Sequence, residues 1–338
     1  MMIPNYDFLA LSLANQISIE PFEFSFASGK GRVEETGILR LEPSTPSEVS
    51  LVLSVGIHGN ETGPIEVVNQ LVKSILRGKL TLGVRMLVLI GSPVAANQAK
   101  RFCEVNLNRL FCGAWQQFDG YEAKRAQRLE KAVTDFYALP TDQTKQIRLH
   151  YDLHTAIRGS EHEKFAVYPF IENAVYSKTQ LGFLAACDVG AILFSHQPTT
   201  TFSYYSQKIH GAHAFTVELG KVFPFGQNDL SRFDGIKTAL TLLLETGNLA
   251  QSPVENLSLF RVLDSLIKED ESYELNIAQD VKNFTPFEVG FVLATSAKSH
   301  YCIKQTGDAI VFPNTQLPIG QRAGLMVRPL KMDDLALF

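Results

Sequence analysis

Two kinds of apolar run alternate along the first two-thirds of the chain. One kind is short and nearly continuous: residues 50–57, 84–90 (broken only by Arg85), 148–153, 165–170, 189–194 and 212–219. Apolar runs of this length, without polar alternation, predict strands buried on both faces. The other kind spaces its apolar residues by three or four. Ile65, Val68, Val72 and Ile75 share one face of a helix over 65–76, and Pro64 suits its first position because the missing N–H would be unpaired there anyway. Residues 121–137, 178–186 and the strongly apolar 230–244 read as further helices, and 4–18 as a short one. Residues 22–41 alternate well enough for a hairpin turning at Ser28-Gly29-Lys30-Gly31. Residues 42–48, with two prolines, and the polar stretch 92–112 read as loops. Strands alternating with helices predict an α/β fold, a central mixed sheet flanked by helices.

After Gly247 the pattern changes. Residues 257–267, rich in leucine, suggest a helix; then short β-like runs at 274–277, 289–293, 310–312 and 324–327 are punctuated by Gly and Pro. This divides the chain into an α/β domain over 1–249 and a smaller, mostly β C-terminal domain over 250–338.

Composition narrows the possible partners. The 338 residues carry a net charge of −4, with no basic excess to match a polyanion, so nucleic acid is not an expected partner. No apolar run reaches the roughly 18 residues that suggest a membrane span, and the first fifteen residues lack the basic start and apolar stretch of a signal peptide. Cys103, Cys112, Cys187 and Cys302 have no CxxC spacing and read as free thiols of a reducing cytoplasm.

The chemistry concentrates where predicted strands end. Gly56-Ile57-His58-Gly59-Asn60-Glu61-Thr62-Gly63-Pro64 joins a buried strand to a helix, and Asp152-Leu153-His154-Thr155 ends another strand. Open α/β sheets place their sites at the carboxyl ends of strands. Two imidazoles and a carboxylate form one of the standard ligand sets of a catalytic zinc, with a fourth position left for water. His58, Glu61 and His154 are therefore candidate metal ligands, against the rival reading of two loop histidines with structural hydrogen bonds. Asp152 is a candidate partner of His154. Glu218, in Thr216-Val217-Glu218-Leu219-Gly220, is a carboxylate in an apolar strand, suited to a general base or equally to a solvent-facing strand end. Arg101, Asn108 and Arg109 lie in one loop, and Arg158 is four residues past His154. Arginine binds carboxylates in two-pronged fashion and stabilises oxyanions; by composition alone a solvated basic loop is the better reading of them. His150 faces away from Leu149 and Tyr151 and reads as structural, and no phosphate loop or dinucleotide fingerprint is present.

Taken together, Gly56-Ile57-His58-Gly59-Asn60-Glu61, Asn108-Arg109, Asp152-Leu153-His154 and Val217-Glu218 resemble the zinc carboxypeptidase superfamily. Within it they resemble the succinylglutamate desuccinylase and aspartoacylase branch, with Asp152 through Ser160 closest to the desuccinylases. The resemblance spans about residues 45–225. It implies one Zn2+ per chain on His58, Glu61 and His154, Glu218 as the residue that activates water, and Arg101 near the scissile carbonyl. It also implies that Asn108 and Arg109 hold a substrate carboxylate. Aspartoacylases have a further substrate arginine about ten residues before the catalytic glutamate. Here that place falls on Lys208, so the contact does not carry over, and Arg158 becomes the candidate for the missing charge. The implied reaction is hydrolysis of N-succinyl-L-glutamate to succinate and L-glutamate, the last step of arginine breakdown through succinylated intermediates, in the cytoplasm. An aspartoacylase-like N-acyl amino acid hydrolase, a carboxypeptidase and a non-catalytic zinc or carboxylate binder are the rival readings. The second domain argues against an open-groove carboxypeptidase, and Glu218 against a pure binder.

Overall fold

A computed structural model describes residues 2–138, 146–314 and 316–338. Its helices are α1 (Phe8–Ala14), α2 (Thr62–Leu76), α3 (Pro93–Asn97), α4 (Tyr121–Tyr137), α5 (Lys178–Ala186), α6 (Phe202–His210) and α7 (Asp234–Thr246). The first ten strands are β1 (Phe22–Phe26), β2 (Gly29–Glu35), β3 (Ile38–Pro43), β4 (Val49–Val55), β5 (Arg85–Ile90), β6 (Ile147–Ala156), β7 (Phe165–Tyr168), β8 (Val175–Tyr176), β9 (Ala191–Phe194) and β10 (His213–Lys221). The C-terminal region adds β11 (Ser258–Ile267), β12 (Glu274–Leu275), β13 (Thr285–Pro286), β14 (Val292–Thr295), β15 (His300–Cys302), β16 (Ala309–Val311), β17 (Arg322–Leu330) and β18 (Ala336–Leu337).

Thirteen strands form one mixed sheet in the order β1-β2-β3-β5-β4-β6-β10-β7-β9-β11-β17-β16-β13. Its middle is parallel: β5, β4, β6 and β10 run the same way. Every residue of β4 and β5 is buried, as continuous apolar runs covered on both faces require. One face carries the core that includes α2, α5 and α7 residues such as Val68, Leu184 and Leu240; the other is covered by α4 and α6 through Val133, Phe136 and Phe202. Arg85 opens β5 as a buried cation satisfied on all sides: it donates to Glu42 at 2.9 Å, to Ser50 Oγ at 2.9 Å and to the Phe136 carbonyl at 3.0 Å.

The C-terminal region is continuous with this sheet, because β11 pairs in parallel with β9. Here one expectation is corrected: residues 257–267 form no helix, and 258–267 are strand β11. Its register with β17 slips between Val262 and Asp264, leaving Leu263 as an extra residue. That bulge breaks the two-residue alternation and leaves buried Leu259, Val262 and Leu266 at spacings of three and four, which imitate a helix. The hairpin over 22–41 is also redrawn, as a three-stranded meander whose first turn falls at Ala27-Ser28, since Phe26 already pairs with Gly29. Gly31 lies inside a strand because the Phe24 ring occupies the space a Cβ would need, 2.2 Å away. Within 92–112, Ser92 caps the short helix α3 by accepting from Ala95 N, so that stretch is not all loop.

The turn after β4 is locked against α3. Gly59 N donates to the Arg101 carbonyl at 3.0 Å, and a Cβ on Gly59 would sit 2.3 Å from Ala96 N and 2.4 Å from the Ala95 carbonyl carbon. Both obstacles are backbone and cannot swing aside. Gly59→Ala is therefore expected to destabilise the protein by about 1–3 kcal/mol, the usual cost of overpacking. Thermal unfolding of the metal-free variant checks this, and an unchanged Tm would show that the turn has room the geometry denies.

Candidate active site

Strand register builds the site. Val55 of β4 is level with Leu153 of β6, and His154 of β6 is level with Glu218 of β10. Because the three strands are parallel, their carboxyl ends deliver the His58–Glu61 turn, His154 and Glu218 to one edge of the sheet. Along β6, Leu149, Tyr151 and Leu153 face the apolar core, while His150, Asp152 and His154 face the opposite way and hydrogen-bond one another's partners.

Glu61 is the hub. Its Oε1 lies 2.8 Å from His58 Nδ1 and accepts from Arg101 at 2.6 Å; its Oε2 lies 2.8 Å from His154 Nδ1 and accepts from Thr155 N at 3.1 Å. The other nitrogen of each imidazole is also anchored. His154 Nε2 is 2.9 Å from Asp152 Oδ2, and His58 Nε2 is 3.0 Å from Asn106 Oδ1. Both nitrogens of each ring thus face an oxygen, Nδ1 toward Glu61 and Nε2 toward Asp152 or Asn106, and such partners fix the ring orientation as they do for histidines that hold a metal. Ligand atoms of His58, Glu61 and His154 lie within 4.8 Å of one another, and all three residues are buried.

The electrostatics also suit a cation. Burial disfavours a charged His154, but the Asp152 and Glu61 carboxylates outweigh it and hold the ring well above the ordinary histidine range. Burial likewise opposes a charged Glu61, yet His58 and His154 hold it well below the carboxylate range. His58, desolvated and beside Arg101, is pushed down to about 4. One neutral imidazole, one imidazole drawn toward positive charge and a firmly ionised carboxylate can hold a divalent metal, which supplies that positive charge itself.

Glu218 is 7 % exposed, and its Oε2 has no hydrogen-bond partner. Burial, then the nearby Glu61 charge, raise it to about 7 against the opposing pull of His154 and Arg101. A carboxyl group poised there can both take and give a proton near neutral pH.

The remaining expected residues separate. Arg101 reaches the hub directly. Arg109 is exposed, and it donates to the Asn108 carbonyl at 2.9 Å. The side chain of Asn108 is buried, and its Oδ1 accepts from Phe202 N at 3.0 Å, tying the loop to the start of α6. Arg158 donates to the Gln279 and Val281 carbonyls, which fastens the strand end after His154 to the C-terminal region. Lys208 Nζ stands 5.7 Å from the centre of the Tyr204 ring.

Two participants were missed. Asn106 holds His58 and also accepts from Asn108 N at 3.0 Å; the signal for it was the Asn-x-Asn spacing of a local turn. Ser54 donates to Asp152 at 2.5 Å and lies 2.8 Å from His150 Nε2, while His150 Nδ1 lies 2.7 Å from Ser206 Oγ. Burial pushes His150 down to about 4, so it is a neutral member of the chain of hydrogen bonds behind His154.

Comparison with known proteins gives this geometry its relatives. Residues 47–244 match the succinylglutamate desuccinylase/aspartoacylase catalytic domain, and residues 255–330 match the AstE/AspA barrel-sandwich hybrid domain. A succinylglutamate desuccinylase from Shewanella piezotolerans is 46 % identical over 331 residues, 95 % of either chain. The crystal structure of the protein of that name from Vibrio parahaemolyticus superposes with a TM-score of 0.87 at 34 % identity, covering 96 % of this chain and 95 % of that one. The Chromobacterium violaceum structure gives 0.85 at 38 % identity, with 97 % and 98 % covered. With both domains matched and such relatives aligned from end to end, the chain belongs to the succinylglutamate desuccinylase/aspartoacylase family.

Proposed function

We propose that this protein hydrolyses the amide bond of N-succinyl-L-glutamate, releasing succinate and L-glutamate, with one Zn2+ held by His58, Glu61 and His154. The activity rests on relatives of that name along nearly the whole chain. The single structural observation that carries the chemistry is Glu218: a buried carboxyl with a free oxygen, raised to about 7, one strand from His154. When bound, zinc supplies a Lewis acid and lowers the pKa of water.

The chain's own groups do the rest. Glu218 takes a proton from the attacking water as its oxygen adds to the amide carbonyl carbon. Arg101, whose remaining N–H groups stay available beside Glu61, stabilises the negative charge that develops on the carbonyl oxygen. Glu218 then returns the proton to the glutamate nitrogen as the C–N bond breaks. Asp152 and Asn106 keep the two imidazoles in one orientation. Asn108 and Arg109 hold a carboxylate of the amino-acid half. Arg158, with guanidinium nitrogens left beyond its two backbone contacts, is the proposed reader of the succinyl carboxylate. No helix among the described residues is long and apolar enough to cross a membrane, and the reading places the enzyme in the cytoplasm, acting on a small molecule late in arginine breakdown.

Three outcomes are expected. Chelation abolishes hydrolysis and added zinc restores it; full activity in a sample verified free of metal would refute the mechanism. Glu218→Gln keeps the size of the side chain and removes the base, so kcat falls by about 10²–10⁴-fold at constant zinc content. Near-normal kcat would assign the base to another residue. For substrate choice, kcat/KM is compared between N-succinylglutamate and N-acetylglutamate. A charge-assisted contact is worth about 1.5–3 kcal/mol, so wild type favours the succinyl compound by roughly 10- to 150-fold. Arg158→Ala removes most of that gap while sparing the acetyl activity; equal rates on both compounds in wild type would end the desuccinylase reading.

A further inference from the structure

A line of polar side chains runs from α6 to His154. Ser206 Oγ is 2.7 Å from His150 Nδ1, and His150 Nε2 is 2.8 Å from Ser54 Oγ. Ser54 Oγ is 2.5 Å from Asp152 Oδ1, and Asp152 Oδ2 is 2.9 Å from His154 Nε2. Ser54, His150, Asp152 and Ser206 have no exposed surface, so bulk water does not compete for these bonds. Three elements hold the line in place. Ser54 of β4 is the register partner of Asp152 of β6. Phe202 and Ser206 lie four residues apart on α6 and so share a face. The Phe202 ring stands edge-on to His150, 4.7 Å between centres, and Ser206 meets the same imidazole at Nδ1.

The distances decide where the protons lie. A separation of 2.5 Å is that of a hydroxyl bonded to a carboxylate. The Ser54 proton therefore points at Asp152, and Ser54 has no second proton for His150. His150 Nε2 must then be the donor to Ser54 Oγ. A neutral imidazole has one N–H, so Nδ1 accepts and Ser206 donates to it. In the reverse order the Ser54 and Asp152 oxygens would face each other at 2.5 Å with no proton between them. The line runs one way, from Ser206 to Asp152. One Asp152 oxygen is filled by Ser54, and the other is left for His154.

We propose that His150 is a positioning residue for the ligand histidine His154. With its proton on Nε2, it keeps the Ser54 hydroxyl turned to Asp152. That fixes the Asp152 carboxylate and, through it, the His154 ring, with Nε2 inward and Nδ1 toward Glu61. Without the His150 N–H the Ser54 hydroxyl is free to turn, the carboxylate loses its second anchor, and the ring gains freedom that metal binding has to remove. The effect is on affinity for the cation, since neither His150 nor Ser54 meets the substrate. This rests on the reading of His58, Glu61 and His154 as a zinc site.

The test has two arms, both on the full chain. Nitrogen-15 NMR of the imidazoles in metal-free wild type, with the His150 signals assigned by their loss in His150→Gln, reads which ring nitrogen carries the proton. Competition with a chromophoric chelator reads Zn2+ affinity for wild type, His150→Asn, His150→Gln, Ser54→Ala and the double variant Ser54→Ala/His150→Asn, with circular dichroism to confirm folding. Wild-type His150 is expected to show an exchange-protected proton on Nε2 and a bare Nδ1. His150→Asn, whose amide is too short to reach Ser54, and Ser54→Ala should each weaken zinc binding by roughly ten-fold, the lower end of the effect of outer partners of a ligand histidine. His150→Gln places an amide N–H near the position of Nε2 and should recover most of the loss, which a merely space-filling role does not predict. The double variant should be no weaker than the weaker single variant, because both changes act on one bond. Should His150→Asn not fold, His150→Phe, which fills the space beside Phe202, takes its place. A proton on His150 Nδ1 overturns the proposal. So does wild-type zinc affinity in either single variant, a Gln variant no better than the Asn or Phe one, or losses that add in the double variant. Wild type that took up no zinc would end the metal reading and the proposal with it; zinc uptake indifferent to His150 would end the proposal alone.

Discussion

A single carboxylate organises this molecule's chemistry. Glu61 is buried, and burial alone would keep it protonated; it stays ionised because two imidazoles and a guanidinium close on its two oxygens. Removing any of these partners leaves a charged or polar group stranded in a low-dielectric interior, which is the expensive event in such networks. The surrounding structure serves to hold them. Asp152 and Asn106 fix the far sides of the imidazoles, and Ser54, His150 and Ser206 extend the chain inward.

The fold supplies what the network cannot make for itself, namely position. Parallel pairing of β4, β6 and β10 forces three sequence-distant strand ends to one edge, and the registry of Glu218 with His154 sets that carboxyl beside the His58–Glu61–His154 cluster. The strands are buried on both faces, so a slip of one residue in β6 would put two histidines and an aspartate into the apolar core under α2 and α7. Register is thus specified by hydrophobicity, and the chemistry inherits it. The turn holding His58 is pinned by the absence of a side chain at Gly59 and by the Arg101 backbone, whose side chain then reaches the same Glu61.

The second domain is more than an appendage. Its strand β11 extends the same sheet, its apolar residues share a core with Phe165 and Leu193, and its Gln279 and Val281 carbonyls take up Arg158.

The sequence by itself determined most of the buried strands and helices and brought forward three side chains that the fold gathers at one edge of the sheet. Continuous apolar runs identified the buried strands and the three-and-four spacing identified α2, because these signals are local; His58, Glu61 and His154 came forward only as residue types at strand ends taken together, and the fold brings their ligand atoms within 4.8 Å of one another. Residues 258–267 misled, since a bulge at Leu263 recasts strand alternation as helical spacing, and only pairing with β17 and β9 decides between them. What no local pattern carries is partnership across the chain. That Asn106 serves His58, that Asn108 turns its side chain to α6 and that Arg158 is fastened to backbone carbonyls are all decided by tertiary packing. An arginine looks the same in sequence whether its guanidinium meets water, a carbonyl or another cation. Its role is fixed only when folding removes the water and leaves a particular neighbour.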